Sequence, residues 1–274
     1  MEYDPSQFTG TAPYYLRGRP PYSADLSRVL AEELGLDGTG TLVDVGAGPG
    51  ILAAELGSLV ERVVVVEPDA GMLAEARRHL ATRGLAQVDF IQATAEELPK
   101  LGLSPARLVT FGQSFHRVDR LPVAEAVHDL LEPGGAMVLV SNDYRSAPRG
   151  PLPTDPPVPH EEIRELIRRF LGAELRSGAR TVASYVPERF EETLARTSFG
   201  RPDVVYAAGR TDIIRDIEGV IAAARSMSYA APHLFGDRFD DFLAQLRALL
   251  ERLSPTGSFW EWAGDTEIII ARKR

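Results

Sequence analysis

Between Thr41 and about Asp143, short runs of β-branched and apolar residues alternate with stretches whose apolar positions recur at helical spacing. That alternation predicts parallel strands joined by crossover helices. The strands are TLVDV from Thr41, RVVVVE from Arg62, VDFIQA from Val88, RLVTF from Arg107 and AMVLVS from Ala136. Their apolar runs are almost unbroken, as in a sheet covered on both faces rather than wetted on one. The helical stretches are ILAAELGSL from Ile51, AGMLAEARRHLA from Ala70 and VAEAVHDLL from Val123, and Glu132-Pro133-Gly134-Gly135 stops the last of them.

Residues Ala147 to His160 are dense in proline and cannot continue a helix or a central strand. Beyond them EEIRELIRRFLGAEL from Glu161, PERFEETLARTS from Pro187, DIIRDIEGVIAAARSM from Asp212 and DRFDDFLAQLRALLERL from Asp237 carry helical patterns. DVVYAAGRT from Asp203 reads as a strand, and Glu267 to Ala271 reads as a final strand returning to the sheet. The fold class expected is α/β: a doubly wound, mostly parallel, seven-stranded Rossmann-like sheet whose added helices cap the ligand cleft. One domain is expected over 1–274. It comprises an N-terminal lid and first helix (1–40), a cofactor-binding half (41–146), a helical cap (147–257) and the last strand (258–274).

The strongest local signal is VDVGAGPG, Val43 to Gly50, set directly between a strand and a helix. Glycines at 46, 48 and 50 let the backbone turn sharply and approach a ligand with no Cβ in the way, and the turn delivers that ligand to the positive end of the next helix. A dinucleotide fingerprint needs a small residue at the sixth position from Gly46. Ile51 stands there, which disfavours NAD. Glu67 ends the second strand about twenty residues after the first glycine, where an acid caps the strand to hold ribose hydroxyls.

With these residues the segment from about 14 to 143 resembles the class I S-adenosylmethionine-dependent methyltransferases. The resemblance implies that Asp44, Gly46, Gly48 and Gly50, with Ala47 between them, cradle the methionine part of S-adenosyl-L-methionine, and that Glu67 binds its ribose. It further implies that Pro68, Asp69 and Met72 lie at the adenine edge, with Ala95 and Glu96 of QATAEELP on its other side. Thr94 departs from the family pattern, which often has an acid there. YLRGRPPY from Tyr15 and QSFHRVD from Gln113 resemble the branch that contains trans-aconitate methyltransferases and related small-molecule enzymes. In that branch an arginine-proline segment precedes the first helix and a Phe-His-Trp run follows the fourth strand; Arg117 replaces the tryptophan here.

The C-terminal end of the fourth strand is where an open α/β sheet presents ligand groups, so Gln113, Ser114, Phe115 and His116 are expected to face the cleft. His116 is the candidate general base, since imidazole titrates near neutrality, and its alternative is a place in the cleft wall. Arg19 is suited to pair with a carboxylate of the cofactor or substrate, or else is a solvent-exposed charge beside Pro20. Tyr14, Tyr15 and Tyr22 form a lid or pack on the first helix. Trp260 and Trp262 line a pocket or, by the stronger expectation for large aromatics, pack in the core. The stretch from Ser226 to Gly236 could loop over the cleft. His79, His128, His160 and His233 read as surface or packing residues, and Glu161-Glu162 and Asp240-Asp241 as helix starts.

Composition changes the picture only by exclusion. The 274 residues are 44% hydrophobic and 25% charged, ordinary for a folded globular chain. There is no cysteine, which removes disulfides, thiolate metal sites and cysteine nucleophiles, and no His/Asp/Glu group has metal-ligand spacing, so no metal is expected. The net charge of −9, with no Lys/Arg cluster long enough to offset it, argues against nucleic acid as a partner, and a small-molecule substrate is expected. No apolar run is long enough to span a bilayer, and the polar, acidic N-terminus fits a cytoplasmic location. The function expected is methyl transfer to a small-molecule oxygen, carboxylate or hydroxyl, with a natural-product intermediate or small organic acid as substrate. A non-catalytic sensor or assembly protein that binds the same cofactor is the second reading, and an NAD-linked oxidoreductase the third.

Overall fold

The computed structural model describes residues 4–85, 87–177, 180–181 and 188–274. Its centre is a sheet of β1 (Thr41–Val45), β2 (Arg62–Val66), β3 (Val88–Ile91), β4 (Ala106–Gly112), β5 (Leu131–Asp143), β8 (Asp203–Ala207) and β11 (Asp265–Arg272). The strand order is β3-β2-β1-β4-β5-β11-β8. The five strands from β3 to β5 run parallel, and β11 lies antiparallel between β5 and β8. The seven expected strands therefore form one sheet. Its order reverses between β1 and β4, so the loops after these two strands open a cleft at the C-terminal edge.

Both faces are apolar and both are covered. Val43, Val45, Val64, Val66, Val109, Phe111 and Leu139 face one layer, into which α5 (Arg120–Leu130) sends Val123, Ala124 and Val127. Leu42, Val63, Val65, Leu108, Val138 and Ile268 face the other, packed by α2 (Leu26–Leu34), α3 (Ile51–Leu56) and α4 (Ala70–Thr82). This two-sided burial is why the strands read as continuous apolar runs. Thr110 and Asp44 are the exceptions. Thr110 is fully buried and donates to Asp44 Oδ1 (2.8 Å), while the Ala53 N–H of α3 donates to Oδ2 (3.2 Å). One carboxylate thus ties β1 to β4 and to the first turn of α3.

The remaining helices form a layer with its own core. In α6 (His160–Leu171) Ile163, Leu166 and Ile167 face in; α8 (Ile217–Arg225) adds Val220 and Ile221; α9 (Phe239–Leu253) adds Phe242, Leu246 and Leu250. Acids occupy the first turns of α6 and α9, as their sequence suggests. The short α1 (Ala12–Gly18) docks on α8, where a Cβ on Gly18 would lie 2.5 Å from the Ala222 carbonyl oxygen. Small elements complete the order: β6 (Arg176–Ser177), β7 (Arg180–Thr181) and α7 (Phe190–Leu194) before β8, then β9 (Ile214–Asp216) and β10 (Ser258–Trp260).

Three expectations need correction. The helix read from Asp212 begins only at Ile217, because Ile214 to Asp216 pair with β10 and Asp216 then caps α8 by accepting from the Gly219 N–H (2.7 Å). The helix read from Pro187 is confined to α7, and Pro187 lies outside the described residues. The stretch from Ser226 to Gly236 is a chain of 3-10 turns whose Ala230 and Phe235 are buried against the helical layer rather than a loop spread over the cleft.

Burial raises the Asp44 carboxyl from 3.8 to about 6, against the lowering effect of its two donors. The folded value lies above the unfolded one, so the native state binds more protons in between and stability falls as pH rises from about 4 to about 6. Thr110→Val keeps the shape and removes a donor to the ionised form, so it raises that value further. Urea denaturation should show a loss of about 1–3 kcal/mol near pH 8 that shrinks toward pH 4. A loss independent of pH would show that the hydroxyl does not serve the charged carboxylate.

Candidate cofactor and substrate cleft

The glycine loop leaves β1 at Gly46 and enters α3 at Gly50, and Gly46, Gly48 and Gly50 all take positive φ (62°, 56° and 76°). That conformation is costly for any residue bearing a Cβ. At Gly46 there is a second reason: a Cβ would lie 2.7 Å from Ser114 Cβ, and Ser114 is there because its hydroxyl donates to the Val45 carbonyl (2.8 Å). At Gly48 the space is open except for the Tyr15 ring, 3.9 Å from a built Cβ. His79, expected as a surface or packing residue, supports the loop from behind, with Nδ1 2.9 Å from the Pro49 carbonyl oxygen.

Glu67 follows β2 beside this loop because Val45 and Val66 are register partners. Its Oε2 accepts from the Gly48 N–H (2.7 Å) and its Oε1 from the Asp69 N–H (2.9 Å). The residue is only 6% exposed. Burial raises its pKa from 4.5 to about 7, although the Asp69 and Gly48 donors lower it. Asp69 in turn caps α4 by accepting from the Met72 N–H (2.8 Å). Met72 is buried in the first turn, and Pro68 between the two acids is half-buried.

The other predicted positions divide. Asp44 is buried and its oxygens are engaged by Thr110 and Ala53, so it anchors the loop from beneath rather than facing the cleft. Ala95 is buried with Ala93 and Leu98 in the sheet-face layer. Glu96 is exposed and accepts from the Asp119 N–H (3.0 Å), joining this turn to the start of α5. Thr94 opens the turn, its N–H donating to Glu97 Oε2 (2.8 Å).

Tyr15 and Arg19 come from α1 and its C-cap. The Arg19 guanidinium stacks 4.5 Å over the Tyr15 ring and donates from Nη2 to the Ser226 carbonyl (2.7 Å). Arg19 is half-buried, which overturns its reading as a solvent-exposed charge. Its Nε is buried with no hydrogen-bond partner among the described residues. A buried donor without an acceptor is unfavourable by about 1–3 kcal/mol, and a carboxylate on the ligand side would relieve it. A carboxylate acceptor at one strand tip and an unsatisfied guanidinium donor above an open glycine loop suit the ribose and amino-acid groups of S-adenosylmethionine.

Gln113 has φ 52°, the one non-glycine residue with positive φ among those described. Its N–H donates to the Val140 carbonyl (2.9 Å), so the chain turns tightly at the tip of β4 before Ser114 folds back to Val45. Non-glycine strain of this kind concentrates at ligand sites. Next, Phe115 to Arg117 form a 3-10 turn in which Phe115 is buried and His116 half-buried. His116 lines a recess of about 60 Å³ with Phe111, Gln113, Phe115, Ser141 and Phe190. Phe115 meets Phe111 and Phe190 edge-on at 5.3 and 5.5 Å. Trp260 and Trp262 are outside it: their indole N–H groups donate to the Thr211 and Ser146 carbonyls (2.9 and 2.7 Å), so they are packing residues. Among the described residues, no group of three or more His, Asp or Glu is arranged for a metal ion, and no helix is long and apolar enough to cross a membrane.

Sequence reasoning passed over Thr110, the Ser226 carbonyl and Phe190. Thr110 was visible as the one hydroxyl inside an apolar strand run, whereas the other two depend on contacts across more than sixty residues of sequence.

Comparison with known proteins finds methyltransferases among similar sequences and structures. Residues 42–135 match the family model described as a methyltransferase domain. The methyltransferase cfoB of Aspergillus candidus is 31% identical over 129 residues, 44% of this chain and 39% of that protein. A ubiquinone biosynthesis O-methyltransferase of Ruegeria pomeroyi is 34% identical over 97 residues, 35% of this chain and 39% of that protein. A ubiquinone/menaquinone biosynthesis C-methyltransferase of Rubrivivax gelatinosus is 36% identical over 96 residues, 34% of this chain and 36% of that protein. The chain thus spans well under half the length of these curated relatives. A solved structure from Anaeromyxobacter dehalogenans, provisionally named a type II methyltransferase, superposes with a TM-score of 0.53 at 21% identity, over 93% of this chain and 96% of that one. It shares the fold.

Two glycine substitutions separate backbone strain from crowding. Gly35 (φ 57°) has nothing within 4 Å of a built Cβ, whereas Gly46 (φ 62°) has Ser114 at 2.7 Å. Gly35→Ala should cost about 1–2 kcal/mol of unfolding free energy, and Gly46→Ala a further 1–3 kcal/mol or so. Equal losses in urea denaturation would show that Ser114 is not wedged against the loop.

Proposed function

We propose that this protein transfers the methyl group of S-adenosylmethionine to a small-molecule oxygen. One observation supports this most: Glu67 at the tip of β2 meets the glycine loop at the tip of β1, the strand that borders the reversal of strand order, and a hydrogen bond from Gly48 joins them. Glu67 would take the ribose hydroxyls, Gly46 to Gly50 would pass the ligand closely enough for backbone contact, and Arg19 would pair with the carboxylate. Pro68, Met72, Ala95 and Glu96 would border the adenine. When bound, the cofactor supplies a methyl group already activated by its sulfonium, so much of the acceleration can come from alignment in a water-poor cleft.

The chain's own contribution beyond binding lies at the tip of β4. Gln113 and the recess beside it would orient the acceptor, and the three phenylalanines would exclude water. His116 would accept the proton of a hydroxyl acceptor at a ring nitrogen; a carboxylate acceptor would need no base. The arginine-proline segment and the run after β4 favour a substrate like those of the trans-aconitate branch, a small organic acid or natural-product intermediate. The names of the relatives include both an O-methyltransferase and a C-methyltransferase of small-molecule biosynthesis, which supports a small-molecule acceptor.

Incubation with methyl-labelled cofactor and a metabolite extract tests the reading. Label should pass to small, extractable compounds; tight binding without any transfer would favour a sensor or assembly role, and protection against heat by NAD alone would favour an oxidoreductase. Glu67→Ala should weaken S-adenosylhomocysteine binding by about 1–3 kcal/mol in calorimetry. Because the ionised carboxylate is the better acceptor, wild-type affinity should rise as pH passes through about 7, the value to which burial raises Glu67. His116→Ala should depress turnover with a hydroxyl acceptor and leave cofactor affinity unchanged; full turnover across the pH range would assign His116 to the wall.

A further inference from the structure

Residues 21–23 cross the C-terminal edge of the sheet as a strap. Asn142 Nδ2 at the end of β5 donates to the Pro21 carbonyl (3.3 Å), the Ser23 N–H donates to Thr266 Oγ1 of β11 (2.7 Å), and the Ser23 hydroxyl donates to the Ala208 carbonyl (2.6 Å). Ser23, Asn142 and Thr266 are buried, so these bonds fix the backbone on both sides of Tyr22.

So held, the Tyr22 ring turns down toward β4. A Cβ built on Gly112, the last residue of that strand, would lie 2.9 Å from Tyr22 Oη and 2.8 Å from Leu52 Cδ1. The missing side chain at 112 is therefore what admits the phenol. Tyr15, Asp44, Tyr144 and Arg19 are near enough to act on it electrostatically. Burial is the main cause that pushes its ionisation far above the ordinary tyrosine range. The group is a neutral O–H at any working pH.

Its place along the sheet edge decides what it would meet. Glu67 stands at the tip of β2, the glycine loop at the tip of β1, and Gly112 at the tip of β4, on the side of β1 away from Glu67. A ligand with its ribose on Glu67 that crosses the glycine loop directs its other end toward β4, where Arg19 and Tyr22 lie. The geometry points to Tyr22 as a donor to the amino-acid end of S-adenosylmethionine, seated through the gap left by Gly112. This rests on the proposed cofactor and adds to it a residue outside the glycine loop and the acid.

Two ligands isolate the claim. S-adenosylhomocysteine carries the amino-acid end, and methylthioadenosine has the same adenosyl group without it. In calorimetry, Tyr22→Phe should weaken S-adenosylhomocysteine about tenfold, the scale of a hydrogen bond to a charged partner, and leave methylthioadenosine within about twofold. Unchanged affinity for the first, or equal weakening of both, overturns the assignment. Gly112→Ala displaces the hydroxyl while keeping the phenol, so it should reproduce the selective loss, and losing both ligands equally would count against it. Wild-type protein that binds neither ligand overturns the cofactor reading itself, a result distinct from any behaviour of the variants.

Discussion

A carboxylate held away from water needs donors, and at Glu67 the backbone supplies them from two loops at once. The parallel register that sets Val45 against Val66 brings the first glycine turn beside the end of β2, and the acid closes the gap by accepting from Gly48 and Asp69. Loop conformation and acid position are consequently one arrangement. Without the carboxylate, the Gly48 N–H loses its partner; without glycine at 48, the backbone cannot easily hold the angle that offers it. Burial keeps the acid's affinity for protons high, so its capacity to accept from further donors grows as pH rises through about 7.

Asp44 repeats this device one layer lower. Its oxygens draw β4, through Thr110, and α3, through Ala53, against β1, so the strand that precedes the loop and the helix that follows it cannot separate. Both acids lie at adjacent strand ends, and Asp44 adds to the raised pKa of Glu67. Negative charge is thus gathered on the β1–β2 side of the cleft, while Arg19 supplies positive charge above the loop. A ligand with hydroxyl donors at one end and an anionic group at the other matches that polarity.

Most of the sheet was legible because its strands are buried on both sides; β1 has the expected bounds and the other six differ from theirs at their ends. The acid and the glycines were legible for a different reason: a turn with positive φ and a capping carboxylate each restrict residue type at a fixed distance from a strand. The helical layer was read less well. Ile214 to Asp216 have the composition of a helix start, and only their pairing with Ser258 to Trp260, more than forty residues later, makes them a strand. Arg19 illustrates the same limit at the site. Its charge and its proline neighbours suggest exposure, yet stacking on Tyr15 and the carbonyl of Ser226 bury it, and Ser226 lies 207 residues away. Asp44 shows the converse: its motif was visible, but whether it faces a ligand or the interior depended on Thr110.

The position of Arg19 traces back to the helical layer rather than to the sheet. Arg215 and Glu261 form a buried ion pair between β9 and the segment after β10, and Arg215 Nη1 also donates to the Arg17 carbonyl at the end of α1 (2.7 Å). Arg17 in turn pairs with Asp216 (2.7 Å), and Gly18 lets α1 settle against the α8 backbone. A buried pair of this kind contributes little net stability after desolvation, yet removing one partner leaves an uncompensated charge and is strongly unfavourable. Its effect here is positional: it clamps the C-terminal end of α1, from which Tyr15 reaches back over Gly48 and Arg19 continues forward. The helical layer therefore sets how closely the aromatic and the guanidinium approach a loop that the sheet alone builds, and the cleft has its shape only where the two cores are joined.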